Sequence, residues 1–73
     1  MDQDLLEELQ LIEELILNGG LSQAINLLEK LSEQHPEDYH VASFLGECYL
    51  MDGKPEKAIK PLRWALKNAP QET

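Results

Sequence analysis

Residues 18–36 read NGGLSQAINLLEKLSEQHP, and residues 52–70 read DGKPEKAIKPLRWALKNAP. The second stretch repeats the first at a constant offset of 34 residues, so that glycine aligns with glycine and proline aligns with proline. The matched pairs are Gly19 with Gly53, Ala24 with Ala58, Ile25 with Ile59, Leu28 with Leu62, and Pro36 with Pro70. A period of this length is typical of repeat proteins, in which one unit stacks on the next because it cannot bury its apolar side alone.

Each unit is expected to contain two helices. Gly19-Gly20 and the run from Asp52 to Pro55 break helical patterns at equivalent places, and Pro55 suits the first turn of a new helix. The expected N-caps are Asp4 and Asp38, and the expected stops after the second helices are Pro36 and Pro70. We therefore predict an all-α fold of four helices near residues 4–18, 21–34, 38–52 and 55–68.

These helices should form one domain over residues 1–73, built from two stacked hairpins of an α-solenoid, with repeat one near 4–37 and repeat two near 38–71. The third helix is apolar around most of its circumference, which predicts enclosure by its neighbours. Gly46 lies in its middle and predicts a close approach of another helix, because glycine there costs about 1 kcal/mol relative to alanine. The predicted buried face of the second helix consists of Leu21, Ala24, Leu27, Leu28 and Leu31.

The second unit resembles a tetratricopeptide repeat. The residues that carry the resemblance are Leu45, Gly46, Tyr49, Gly53, Ala58, Leu62, Ala65 and Pro70. It departs from the family pattern at Ala42, where the family often has tryptophan, and at Pro61 inside the last helix. The first unit is a looser copy, which keeps the pattern at Leu11, Gly19, Ala24, Leu28 and Pro36 but has Glu8, Ile12 and Leu15 at other signature positions.

The resemblance implies a protein-interaction module, such as an adaptor, a scaffold or a co-chaperone-like protein, with no catalytic chemistry. The first helix of each unit would line a concave groove that holds a segment of a partner protein or peptide. The groove positions carried over from the family are Leu9, Glu13, Ile16 and Leu17 in the first helix, and Ser43, Glu47, Leu50 and Met51 in the third, with His40 at the edge.

Glu13 and Glu47 would give this apolar groove two carboxylates, which favour a basic or amphipathic partner. Alternatively, both glutamates belong to an ordinary solvated face. One family subtype grips C-terminal carboxylates with Lys, Arg and Asn at groove positions. Glu13, Ser43 and Glu47 occupy the equivalent places here, so we do not expect an acidic tail as the ligand.

Self-assembly is the alternative function. Repeat arrays usually have three or more units, so we expect either a longer array or completion by association. Ile59 and Leu66 widen the apolar face of the last helix, and Trp64 is a further candidate contact. An acidic first helix and a basic last helix could stack head to tail between copies and extend into filaments, or the ends could exchange in a closed dimer; either would be a homo-oligomer.

The composition argues against several other functions. The chain has 14 acidic and 6 basic side chains and a net charge of −8, which disfavours nucleic acid. A stripe of Lys57, Lys60, Trp64 and Lys67, which we place opposite the buried line of the last helix, does not outweigh that charge. His40 and Cys48 would lie about 12 Å apart along a helix, too far to share a metal ion. No cofactor, metal or catalytic site is therefore expected.

The expected location is the cytoplasm. The single cysteine, Cys48, allows no internal disulfide and fits a reducing compartment. No apolar run approaches the roughly 20 residues that cross a bilayer, and the start MDQD is acidic where a secretory signal would be basic. We expect no membrane partner.

Overall fold

A computed structural model describes residues 3–68. Over these residues the chain forms four α-helices and no strand: α1 (Gln3–Leu17), α2 (Leu21–Gln34), α3 (Tyr39–Met51) and α4 (Pro55–Asn68). The predicted all-α fold is confirmed, and the predicted bounds of each helix agree within one residue. No helix in this range is long and apolar enough to span a membrane. Pro70 and residues 71–73 lie outside the described range.

The two hairpin turns share one backbone geometry. Gly19 and Gly53 adopt φ angles of +86° and +75°, in the left-handed region that favours glycine. The N–H of Gly20 donates to the Leu15 carbonyl at 2.7 Å, and the N–H of Lys54 donates to the Tyr49 carbonyl at 2.9 Å. These bonds, each spanning five residues, close Schellman caps on α1 and α3. The glycines that mark the repeat in the sequence therefore end its first helices.

The helix starts follow the predictions at α3 and α4 but not at α1. The Asp38 carboxylate accepts a hydrogen bond from the backbone N–H of Val41 at 3.0 Å, and it therefore caps α3 as expected. Pro55 is the first residue of α4. Asp4 lies within the first turn of α1, which begins at Gln3, so the prediction that Asp4 is the N-cap residue is wrong. An acidic residue in this turn still interacts favourably with the helix dipole.

The helices pack in chain order, with α1 against α2, α2 against α3, and the most extensive contact between α3 and α4. One apolar core runs through the first three helices. Its buried members are Leu5, Leu9, Ile12, Ala24, Ile25, Leu28, Leu31, Val41, Leu45 and Cys48. Because this core contains residues of both units, each hairpin completes the burial of the other.

The contact between α3 and α4 depends on small residues, as predicted. A Cβ atom on Gly46 would lie only 2.4 Å from the Cγ of Leu62. Ala58 and Ala65 on α4 are also buried. The lack of a side chain at Gly46 therefore lets Leu62 lie directly against the α3 backbone.

Two predictions of burial are wrong. Leu27 was expected in the core, yet it is 41% exposed, whereas Ile25 is 8% exposed. The reason is that α3 packs on the Ile25 side of α2, while no helix of residues 3–68 covers Leu27. The expected enclosure of α3 also fails at its C-terminal end, where Leu50 and Met51 are 50% and 56% exposed.

Candidate binding surfaces

A cavity of about 450 Å³ lies between α1 and α3, the first helices of the two units. It brings together three of the predicted groove residues, Leu9, Glu13 and His40. Leu9 is 4% exposed, so it forms the floor, whereas the side chains of Glu13 and His40 are exposed at the rim. The His40 ring packs edge-on against Tyr39, with ring centroids 5.1 Å apart. The cavity thus combines an apolar floor with a polar rim.

The other predicted groove residues do not line this cavity. Leu17, Leu50 and Met51 are exposed at the C-terminal ends of α1 and α3. Ile16 is half-buried and packs against the core. The two remaining residues are Ser43, which is half-buried, and Glu47, which is exposed.

Leu6, Gln10 and Phe44 complete the lining of the cavity, and our sequence reasoning did not place them there. The signal was present in the repeat offset, because His40 follows Leu6 and Phe44 follows Gln10 by the same 34 residues that separate the two units. A groove residue in one unit therefore indicates that its equivalent in the other unit lines the groove as well.

A second cavity, of about 510 Å³, lies on a different side, between α2, α3 and α4. Val41 and Leu45 are buried residues of its lining, and Pro61 and Trp64 line it from α4. Trp64 is half-buried here, so its predicted position opposite the buried line of α4 is wrong. Ala42, where the family often has a tryptophan, lines the same cavity.

Tyr49 links three helices beside this cavity. Its hydroxyl donates to a carboxylate oxygen of Glu29 on α2 at 2.5 Å, and the Lys57 amine on α4 lies 5.9 Å from the centroid of its ring. Burial, the hydrogen bond to Glu29 and the charge of Glu29 together raise the pKa of Tyr49 from 10.0 to about 12. Tyr49 is therefore protonated in the folded protein over a wider range of pH than in the unfolded chain.

We expect this shift to appear as a loss of stability at high pH. Since the folded pKa of Tyr49 is the higher one, its contribution is complete below pH 10.0 and disappears as the pH rises through about 12. Urea unfolding at a series of pH values measures the slope, and Tyr49→Phe should show a shallower decline across this window. Parallel profiles for the two proteins would contradict the assignment of this pH dependence to Tyr49.

Cys48 is 1% exposed, and burial followed by the negative charge of Glu47 raises the pKa of its thiol. A buried thiol with a raised pKa is a poor nucleophile and a poor metal ligand. Within residues 3–68, no cluster of three or more His, Cys, Asp and Glu side chains is arranged to hold a metal ion.

These features define a helical-repeat protein with cavities between neighbouring helices. A family model of the tetratricopeptide repeat matches residues 15–73, which is more than half of the chain. The chain therefore belongs to the tetratricopeptide repeat family. The matched range begins near the end of α1, in keeping with the looser pattern of the first unit. Comparison with curated proteins and with solved structures finds no match.

Proposed function

We propose that this protein is an interaction module that binds a basic or amphipathic segment of a partner protein between α1 and α3. Membership of the tetratricopeptide repeat family supports protein or peptide binding in general. The observation that carries the more specific proposal is the cavity between the first helices of the two units, which unites Leu9, Glu13 and His40.

The lining of this cavity suits an apolar anchor. Leu9 is buried beneath it, Phe44 is half-buried, and Leu6 is 39% exposed. An aliphatic or aromatic side chain of a partner would remove these surfaces from water, which contributes roughly 25 cal/mol per Å² of apolar area. Leu50 and Met51 extend the exposed apolar surface at the other end of α3. An amphipathic helix with anchors on one face fits such a surface.

The negative charge of α1 indicates that the proposed partner segment is positively charged. This helix contains five acidic side chains and no basic one; the acids are Asp4, Glu7, Glu8, Glu13 and Glu14. Glu13 lines the cavity itself, and Glu47 is exposed on α3. Lysine or arginine residues flanking an apolar anchor would be attracted to these carboxylates, chiefly through faster association and better discrimination between partners.

Charge reversal of both glutamates tests this proposal. The probe is a synthetic amphipathic helix with leucines on one face and lysines on the other, titrated by fluorescence anisotropy. We expect Glu13→Lys combined with Glu47→Lys to weaken its binding by roughly tenfold, since two favourable charges become repulsive. A matched peptide with glutamates in place of the lysines should bind the wild-type protein poorly.

The control keeps the same change in net charge at exposed positions away from the cavity, namely Glu33→Lys combined with Glu37→Lys. This control should retain most of the affinity for the lysine peptide. An equal loss of affinity in both double variants would show that the peptide is attracted by the net charge of the whole molecule and not by the cavity. Unchanged binding in the Glu13 and Glu47 variant would place the site elsewhere, with the cavity beside Trp64 as the next candidate.

A further inference from the structure

Two uncovered surfaces lie at opposite ends of the repeat stack. The acidic surface is formed by α1 and α2 and consists of Glu8, Leu11, Glu14 and Leu27, which line two cavities of about 350 and 400 Å³. The basic surface lies on α4 and consists of Ile59, Arg63 and Leu66. Both surfaces have exposed apolar side chains, with Leu11 at 61% and Leu66 at 83%.

The contact between α2 and α3 shows which surfaces pair in this fold. On the α2 side, Glu29 bonds to Tyr49, Ile25 lines a cavity with Tyr49, and Ser32 lines a cavity with Leu45. The repeat offset carries these α2 residues onto Ile59, Arg63 and Leu66. It carries Ala42, Leu45 and Tyr49 of α3 onto Glu8, Leu11 and Leu15 of α1. The basic surface on α4 therefore corresponds to the α2 side of this interface, and the acidic surface corresponds to the α3 side. Neither surface has a partner surface among residues 3–68.

Equivalent residues of the two units differ in their exposure to solvent. Ile25 is 8% exposed, whereas its equivalent Ile59 is 51% exposed. Leu45 is 7% exposed, whereas its equivalent Leu11 is 61% exposed. The difference arises because α2 and α3 cover one another, while no helix of residues 3–68 covers α4 on this side or α1 and α2 on theirs. Similar side chains are thus buried at the internal interface and exposed at both ends.

The charges of the two surfaces are complementary. α4 has four basic side chains and one acidic, whereas α1 has five acidic and none basic. Arg63 stands where α2 has Glu29, and Glu8 and Glu14 stand where α3 has Ala42 and Cys48. Lys30 lies beside the acidic surface and lines one of its cavities, and the five carboxylates of α1 outnumber this one positive charge. Opposite charge at the two ends favours contact between an acidic surface and a basic one over contact between like surfaces.

We propose that copies of this chain associate head to tail, with the basic surface of one copy on the acidic surface of the next. Leu66 and Ile59 would contact Leu11 and Leu27 of the neighbouring copy, and Arg63 would face its glutamates. Such a contact is heterologous, so each added copy presents a fresh surface and the assembly grows or closes into a ring. This inference does not depend on the proposed binding of a partner between α1 and α3.

Sedimentation velocity over a wide concentration range tests the association. We expect the wild-type protein to form species of increasing size as its concentration rises, and to dissociate when salt is added. Leu66→Glu blocks the basic surface and Leu11→Lys blocks the acidic surface. Each variant alone should raise the dissociation constant by about tenfold or more, since each places a charge at the centre of an apolar contact.

A mixture of the two variants distinguishes the geometry. Leu66→Glu keeps an intact acidic surface, and Leu11→Lys keeps an intact basic surface, so an equimolar mixture should form a heterodimer and nothing larger. A symmetric pairing of like surfaces predicts instead that one of the variants dimerises alone. That result, or a wild-type protein that stays monomeric at every concentration, would overturn the proposal.

Matched controls keep the test free of folding artefacts. Gln23→Glu and Gln23→Lys introduce the same side chains at an exposed position outside both surfaces, and they should associate like the wild type. Leu66 and Leu11 are exposed, so all four variants should keep the wild-type melting curve by circular dichroism. Equal loss of association in the controls would also overturn the assignment to these two surfaces.

Discussion

Leu28→Ala is expected to lower the free energy of unfolding by about 2–5 kcal/mol. Leu28 is 0% exposed, and it belongs to the core cluster that spans both units. Truncation removes apolar contacts and leaves a cavity that the surrounding helices fill only in part. A domain typically has about 5–15 kcal/mol of stability, and one of this size lies toward the low end. The variant should therefore be partly unfolded at ordinary temperature.

Leu27→Ala is the matched control, because it makes the same chemical change at the adjacent position. Leu27 is 41% exposed, so less apolar area and fewer contacts are lost. Urea unfolding followed by circular dichroism gives both free energies, and we expect a change below about 1 kcal/mol for the control. Similar losses in the two variants would show that the apolar face of α2 is not oriented as described.

Gly46→Ala is expected to destabilise the protein by about 1–3 kcal/mol through overpacking. Helix propensity alone predicts the opposite sign, a gain of about 1 kcal/mol, because alanine is the better helix former. The steric effect should prevail, since the new Cβ would lie 2.4 Å from Cγ and 2.5 Å from Cδ2 of Leu62. Carbon atoms pack favourably at about 3.5–4.0 Å. Cγ lies near the α4 backbone, so relief requires a new rotamer or a shift of the helix.

A double-mutant cycle with Leu62→Ala isolates this contact. Leu62→Ala removes the atoms that would clash, so the double variant should lose less stability than the sum of the two single variants. Thermal unfolding of all four proteins provides the measurement. An additive result would mean that Gly46 and Leu62 are not in contact. A gain of stability for Gly46→Ala alone would mean that propensity outweighs the contact.

The helices and their contacts differ in how much of them could be predicted. Gly19, Gly53, Asp38 and Pro55 act on the backbone within a few residues, so the turns and two of the helix starts were evident from residue types. The close approach at Gly46 was also predictable, because a glycine inside a helix needs a compensating contact. Asp4 was the exception, since one residue more or less at a helix start depends on small differences in local energy.

The candidate site was predicted less completely. Of the residues expected in the groove, Leu9, Glu13 and His40 line one cavity, and Leu6, Gln10 and Phe44 line it too, although the sequence pattern did not indicate them. Trp64 was assigned to the wrong side of α4 because helical periodicity ranks residues by angle and does not show where a neighbouring helix leaves a gap. Which side chains line a cavity depends on the separation and tilt of two helices, and neither is encoded in the pattern of one.

The repeat, the helix count, the charge asymmetry and the family follow from the amino-acid sequence, because periodicity, glycine and proline act locally and charge is a sum over residues. Only the tertiary structure decided which apolar residues are buried by a neighbouring helix. Ile25 and Ile59 are equivalent isoleucines, yet one is 8% exposed and the other 51%, because burial depends on whether a second helix occupies the adjacent space.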